Sequence, residues 1–145
     1  MITEQVLFVD AEALVLNKPA GLAVHPGPRT PHSLEDMLDD LRLGFARRPS
    51  PVHRLDRDTS GCLLLSRNPK AHKRLSALFE TGAVTKTYWA VVDGVPEDEE
   101  GFIDFPLGKV STRADGWRMV RDPKGKPSQT RWGVLECRDG RGLVD

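Results

Sequence analysis

The sequence predicts an α+β fold, a mixed but largely antiparallel sheet with flanking helices. Three observations carry this. Short apolar runs of strand length come in pairs near the N-terminus, one segment has complete helix start and stop signals, and a later segment alternates with period two. Hairpins with one crossing helix between strands make a layered sheet rather than a helical bundle. At 145 residues the chain has the length of a single domain, residues 1–145. Hydrophobic residues make up 39% and charged residues 29%, the composition of a soluble globular protein. No apolar stretch reaches the roughly 18 residues of a membrane span, and the N-terminus MITEQVLFVD lacks the basic and apolar regions of a signal peptide. A cytoplasmic protein is therefore expected. Cys62 and Cys137 lie far apart, and Cys62 opens an apolar run, so buried thiols are expected rather than a disulfide.

Along the chain, Val6-Leu7-Phe8-Val9 and Leu14-Val15-Leu16, separated by Asp10-Ala11-Glu12-Ala13, predict a hairpin of buried strands. Lys18-Pro19-Ala20-Gly21 and His25 to Pro31 are loop, because Pro and Gly dominate them. A helix is predicted from Ser33, with Ser33 as its cap, Glu35 and Asp36 in its first turn, Leu34, Met37, Leu38 and Leu41 at helical spacing, and Gly44 after its end. The run Cys62 to Leu65 predicts a buried strand. A second helix begins after Asn68, a good N-cap followed by Pro69; Ala71, Leu75, Leu78 and Phe79 mark its apolar face and Gly82 its end. Val84 to Val92 alternates as a strand, with Lys86, Tyr88, Ala90 and Val92 on one face. Glu97 to Glu100 form an acidic loop. A basic stretch bearing Gly and Pro follows, then a strand-like run Thr130 to Cys137, a turn at Asp139-Gly140, and the start of another strand.

Formal charge is zero but segregated: counting Lys and Arg against Asp and Glu gives −5 for residues 1–41, +7 for 42–74, −6 for 93–104 and +5 for 109–131. The block Arg42, Arg47, Arg48, Arg54, Arg57, Arg67, Lys70, Lys73 and Arg74 can serve a polyanion or simply solvate a surface. Within it, Asp56 sits in a turn-like segment between Val52-His53 and the apolar run. A carboxylate on a loop that a strand holds is well placed for chemistry, is already ionised at neutral pH, and needs no general base to act as a nucleophile. Arg54 and Arg57 flank Asp56 and would favour its charged form, and Asp58, Thr59 and Ser60 can satisfy the backbone donors of the turn. The same residues also suit an ordinary turn in which Asp56 is paired with a neighbouring arginine. Kinase, Walker and dinucleotide signatures are absent, and His25, His32, His53 and His72 lack the close spacing of a zinc site, so no metal is expected.

Three segments in order, Asn17 to Gly27 (NKPAGLAVHPG), Val52 to Gly61 (VHRLDRDTSG) and Lys86 to Ala90 (KTYWA), resemble successive signatures of the RluA-type RNA pseudouridine synthases. The likeness extends through Asp104-Phe105-Pro106-Leu107 and Gly125-Lys126-Pro127 to Gln129-Thr130. It implies isomerisation of a uridine within structured RNA, ribosomal or transfer, without a cofactor. Asp56 would be the catalytic carboxylate, and Tyr88, also catalytic, would pack on the target ring and move a proton. Arg54 would replace the extruded base, with His53, Arg57 and Lys86 also meeting RNA. Members of the family continue into a strand and loop reading roughly GRTHQ, which supplies a cationic partner for the aspartate. None of that precedes Asp145, so the chain is expected to be a catalytic domain without its C-terminal third, and a monomer is expected. The competing expectation is a non-catalytic RNA-binding module of the same fold.

Overall fold

The computed structural model describes residues 1–27, 30–112 and 116–145. Pro28 and Arg29, part of the expected Pro- and Gly-rich loop, lie outside them. The chain divides into two compact units, Met1–Thr85 and Lys86–Asp145, each described here by itself.

In the first unit β1 (Val6–Val9), β2 (Ala13–Lys18), β3 (Ser50–Pro51) and β4 (Gly61–Ser66) form an antiparallel sheet in the order β1-β2-β4-β3. The predicted hairpin is present. Its turn is built by Asp10, whose Oδ1 accepts hydrogen bonds from the backbone N–H groups of Glu12 and Ala13, both at 2.7 Å. This is the Asx chemistry that makes aspartate a turn residue. The register sets Leu14 opposite Leu65, Leu16 opposite Leu63 and Lys18 opposite Gly61. Because side chains alternate across a strand, these positions share one face, and all four leucines are buried. Val24, Leu34, Leu38, Leu41 and Leu55 complete the core against them. Burying a leucine is worth about 1.5–3 kcal/mol, so this one sheet face dominates the stability of the unit.

The helix predicted from Ser33 is instead two short 3-10 turns, Leu34–Met37 and Asp40–Arg42. The backbone bonds run i to i+3, from Asp36 N to Ser33 O at 3.2 Å and from Leu41 N to Leu38 O at 3.2 Å. Asp36 accepts from the N–H of Ser33 as at any helix start, and Asp39 pairs with the guanidinium of Arg42, so neither bond opposes a helix. The tighter form goes with the packing of Leu34, Leu38 and Leu41, all three buried against the leucines of the sheet. The second predicted helix forms as α1 (Pro69–Glu80), with Asn68 Oδ1 accepting from Ala71 N at 2.8 Å. Gly82 follows it at a φ of +70°. Of its expected apolar face, Ala71 is buried and Leu75 and Phe79 are half-buried, but Leu78 is exposed.

Arg67, after β4, is buried although charged. Its guanidinium donates to the carbonyls of Asp10, Arg42 and Leu43 and lies 3.6 Å from the centre of the Phe45 ring. It thereby ties the β1–β2 turn to the segment after the 3-10 turns.

The second unit holds β5 (Ala90–Asp93), β6 (Glu100–Asp104), β7 (Leu107–Thr112), β8 (Gly116–Arg121), β9 (Gln129–Arg138) and β10 (Arg141–Val144). Four of them form an antiparallel sheet in the order β5-β10-β9-β6, and β7 and β8 form a separate hairpin. The sheet expected as one structure is thus three among the described residues, with every named strand pair antiparallel. The turn between β9 and β10 has positive φ at both Asp139 and Gly140, 52° and 75°, as a two-residue hairpin of matching twist requires. The strand expected at Val84 to Val92 is ordered as a strand only from Ala90. Ala90 pairs with Val144, the last residue of β10, so residues 84–89 have no ladder partner among the described residues. Both cysteines are exposed, contrary to expectation: Cys62 alternates away from the core face that Leu63 and Leu65 occupy, and Cys137 lies on an exposed stretch of β9. No helix among the described residues is long and apolar enough to cross a membrane.

The Asp10 turn gives a pH signature. Its two backbone hydrogen bonds, to Glu12 and then Ala13, hold the carboxyl below its ordinary value of 3.8, with Arg67 and Arg74 adding to the effect. A depressed carboxyl contributes stability that is full above its unfolded pKa and lost as pH falls through its folded pKa. Thermal melts of the native protein and Asp10→Asn should differ by a constant amount near about pH 5–6, and the gap should close as pH falls below about 3.8. A gap that is independent of pH would refute the assignment.

Candidate active site

The segment His53 to Gly61 enters from β3 and leaves into β4, and both ends are anchored on β4. Val52 N donates to Leu64 O at 3.1 Å, and Leu64 N donates to His53 Nε2 at 3.0 Å. The imidazole also stacks on Phe79 of α1, with ring centres 4.4 Å apart. His53, expected among the RNA contacts, is therefore engaged by the scaffold, where it links β4 to α1. Leu55 drives the middle of the loop into the core. Asp56 follows it with its side chain 84% exposed, and Thr59 N closes the turn on Asp56 O at 3.2 Å. A buried leucine beside an exposed aspartate fixes the backbone while leaving the carboxylate free to meet a ligand.

What holds this turn from the other side is Lys18. Leu14 and Leu16 point into the core, and Lys18, two residues further along the same face of β2, is fully buried as well. Its Nζ donates to the carbonyls of Pro19 at 3.0 Å, Leu22 at 2.7 Å and Arg57 at 3.1 Å. Three acceptors match the three N–H bonds of an ammonium. Arg57 O also accepts from Gly21 N at 2.8 Å, where Gly21 adopts a φ of +86° that a side chain would strain. The NKPAG segment and the HRLDRDTSG segment are thus one hydrogen-bonded assembly. Lys18, expected in a loop, is instead the last residue of β2. Its signal was the inward position it takes in the Leu14, Leu16, Lys18 alternation.

Burial lowers the Lys18 pKa from its ordinary 10.5, and the carboxylates of Asp58 and Asp56 oppose that shift. The two acids displayed on the turn thus offset part of the cost of the charge beneath it. Arg54 lies 4.0 Å from Asp56, at the limit of an ion pair and with both groups exposed, so it constrains the carboxylate little. Arg57, expected to flank Asp56, instead pairs with Asp58 at 3.3 Å. Lys86 and Tyr88 belong to the second unit, in the extended stretch before β5, and Tyr88 is exposed. In that unit the later matching segments do meet: Leu107 and Lys126 exchange backbone hydrogen bonds at 2.9 Å, and Gln129 Nε2 donates to Asp104 at 3.0 Å. Among the described residues no three His, Cys, Asp or Glu side chains gather as a metal site.

Known proteins resemble the chain as a whole. The chain belongs to the RNA pseudouridylate synthase family, whose family model matches residues 12–144. It is 55% identical over 99% of its length to an uncharacterised RNA pseudouridine synthase of Zymomonas mobilis, of which it spans 66%. It is 40% identical over 99% of its length to ribosomal large subunit pseudouridine synthase C of Pasteurella multocida, spanning 44% of that protein. Among solved structures, human RNA pseudouridylate synthase domain containing 4 matches with a TM-score of 0.80 and 29% identity, over 99% of this chain and 58% of that one.

The Lys18 assembly is testable through stability. Lys18→Met keeps most of the side-chain volume but takes the ammonium donor from the carbonyls of Pro19 and Leu22, while Arg57 O keeps its bond from Gly21 N, and one orphaned buried group alone costs about 1–3 kcal/mol. Urea unfolding should show a loss of about 3 kcal/mol. An unchanged midpoint would show that the ammonium does not support the turn.

Proposed function

We propose that this chain is the catalytic part of an enzyme that isomerises specific uridines in structured RNA, ribosomal or transfer, to pseudouridine. The observation that carries this reading is Asp56, an exposed carboxylate on a turn held by Leu55 in the core and by the Lys18 ammonium beneath it. Membership of the family and the ribosomal substrate in the name of the Pasteurella relative support it.

The reaction breaks the C1′–N1 bond, forms C1′–C5, and moves a proton from C5 to N1. It is redox-neutral and uses no cofactor. Asp56 acts at the ribose, as nucleophile on C1′ or as base on the neighbouring C2′–H, and a slowed reaction with 2′-deuterated uridine assigns the base role. Reaching the ribose requires the uridine to leave its stack, at a cost of a few kcal/mol. Arg54 fills the vacated place, since its planar guanidinium can stack on bases while pairing with phosphate. Tyr88 packs on the extruded ring, and Arg57 and Lys86 contact the RNA backbone. His53 serves by holding the loop on β4. The enzyme works as a cytoplasmic monomer.

Incubation with RNA followed by a pseudouridine-specific carbodiimide label tests the central role. Asp56→Asn should reduce product to background while RNA binding persists; undiminished product would sink the assignment. RNA binding by the unaltered protein with no product on any RNA tested would favour a binding module. For Arg54→Ala, turnover should fall further on a folded stem-loop than on a flexible strand of the same sequence. Equal losses on both would remove the base-replacement role.

A further inference from the structure

The basic block between Arg42 and Arg74 is largely consumed by the fold. Arg42 pairs with Asp39, Arg67 is buried on three carbonyls, Arg74 pairs with Glu12, and Arg54 and Arg57 face the acids of the turn. Arg47, Arg48, Lys70 and Lys73 make no ion pair among the described residues. Three of these four, Arg47, Arg48 and Lys73, line one cavity of about 310 Å³ together with Ser66, Asn68 and His72. That volume lies at the small end of the range of about 300–1,000 Å³ typical of ligand sites.

The cavity opens at the start of α1, where the charge pattern runs against the helix dipole. The first turn contains no acidic residue, and Lys70, Lys73 and Arg74 follow Pro69 at the end that already carries partial positive charge. Three cations without counter-charge around a concavity, at a helix end that itself favours anions, are unfavourable for the free protein and complementary to an anion. One wall of the cavity is ordered by Ser66 and His72. Ser66 Oγ lies 3.2 Å from Ser50 O and 2.9 Å from His72 Nδ1. The half-buried His72 ring is thereby fixed at the cavity wall by a hydrogen bond shared between Nδ1 and Ser66 Oγ.

We propose that this cavity is a phosphate subsite for the RNA chain, with Arg47, Arg48 and Lys73 holding the sugar-phosphate backbone away from the target uridine. The proposal rests on the RNA reading of the preceding section. The cavity borders Ser66 at the end of β4, whereas the Asp56 turn feeds Gly61 at its start. Six strand residues separate the two by roughly 17 Å, so the phosphate held here belongs to a nucleotide several positions from the one that reacts. Contacts of this kind set register and orientation rather than sequence.

The test is the salt dependence of RNA binding, read by fluorescence anisotropy on a labelled single-stranded RNA. The variant Arg47→Ala/Arg48→Ala/Lys73→Ala is compared with a control that removes three exposed cations elsewhere, Arg118→Ala/Lys124→Ala/Arg138→Ala. Each phosphate contact to a single strand contributes about 0.7 to the slope of log K against log salt, so the site variant should lose about 2 from that slope. Its affinity at moderate salt should fall at least about tenfold, and the control should change less than about threefold. Arg47→Lys/Arg48→Lys should keep the slope of the native protein, which separates lost charge from lost fold. Equal effects of site and control variants would overturn the subsite. So would stabilisation of the native protein by inorganic phosphate, lost in the site variant, with RNA binding unchanged, because the cavity would then take free anions and not the RNA chain. If the site variant binds as the native protein does while Asp56→Asn is inactive, the subsite fails alone. Should Asp56→Asn stay active while the slope falls as expected, the catalytic reading fails alone.

Discussion

A lysine ammonium taken fully out of water is costly unless each of its N–H bonds finds an acceptor, and Lys18 meets that condition with the carbonyls of Pro19, Leu22 and Arg57. The first two acceptors lie within four residues of Lys18 along the chain, and the third comes from the turn that carries Asp56. One buried cation therefore folds its own loop and fastens another. A neutral apolar residue at this place would fill the space without fixing the orientation of any carbonyl. The charge also matches the surface above it, since Asp56 and Asp58 are the carboxylates that offset the effect of its burial.

The remaining supports of the turn repeat this logic with different chemistry. Leu55 contributes apolar burial, and His53 offers an acceptor to a backbone N–H of β4 while its ring stacks on α1. A residue with an exposed carboxylate is thus held from the core, from the sheet and from below, while among the described residues the carboxylate itself makes one weak side-chain contact, to Arg54. This is the arrangement expected of a preorganised group, whose supporting shell is rigid and whose own valences are unspent.

Charge in the basic block follows a division of labour. Arg67 and Arg42 satisfy backbone carbonyls and so act as mortar for the first unit, whereas Arg47, Arg48 and Lys73 make no ion pair among the described residues and line a cavity. A count of residues treats all of these alike. The physical difference is whether a guanidinium or ammonium has been desolvated against the protein or remains available at a concave surface.

By itself the sequence determined the β1–β2 hairpin, α1 and the β9–β10 turn, because each is specified by residues adjacent in the chain: Asp10 bonding its own backbone, Asn68 capping the next turn, and Asp139-Gly140 adopting positive φ. It also brought Asp56, Arg54 and Tyr88 forward through ordered motifs. Only the tertiary structure decided that the Ser33 segment would be 3-10 turns, that the fifth strand would start at Ala90, and that both thiols would be exposed. These depend on which partner residues lie opposite and which face of a strand meets the core, and neither is local. The roles of Lys18 and His53 fall in the same group. Each acts on a backbone atom distant in sequence, 39 residues away for Lys18 and 11 for His53, and no pattern of neighbouring residue types contains that information.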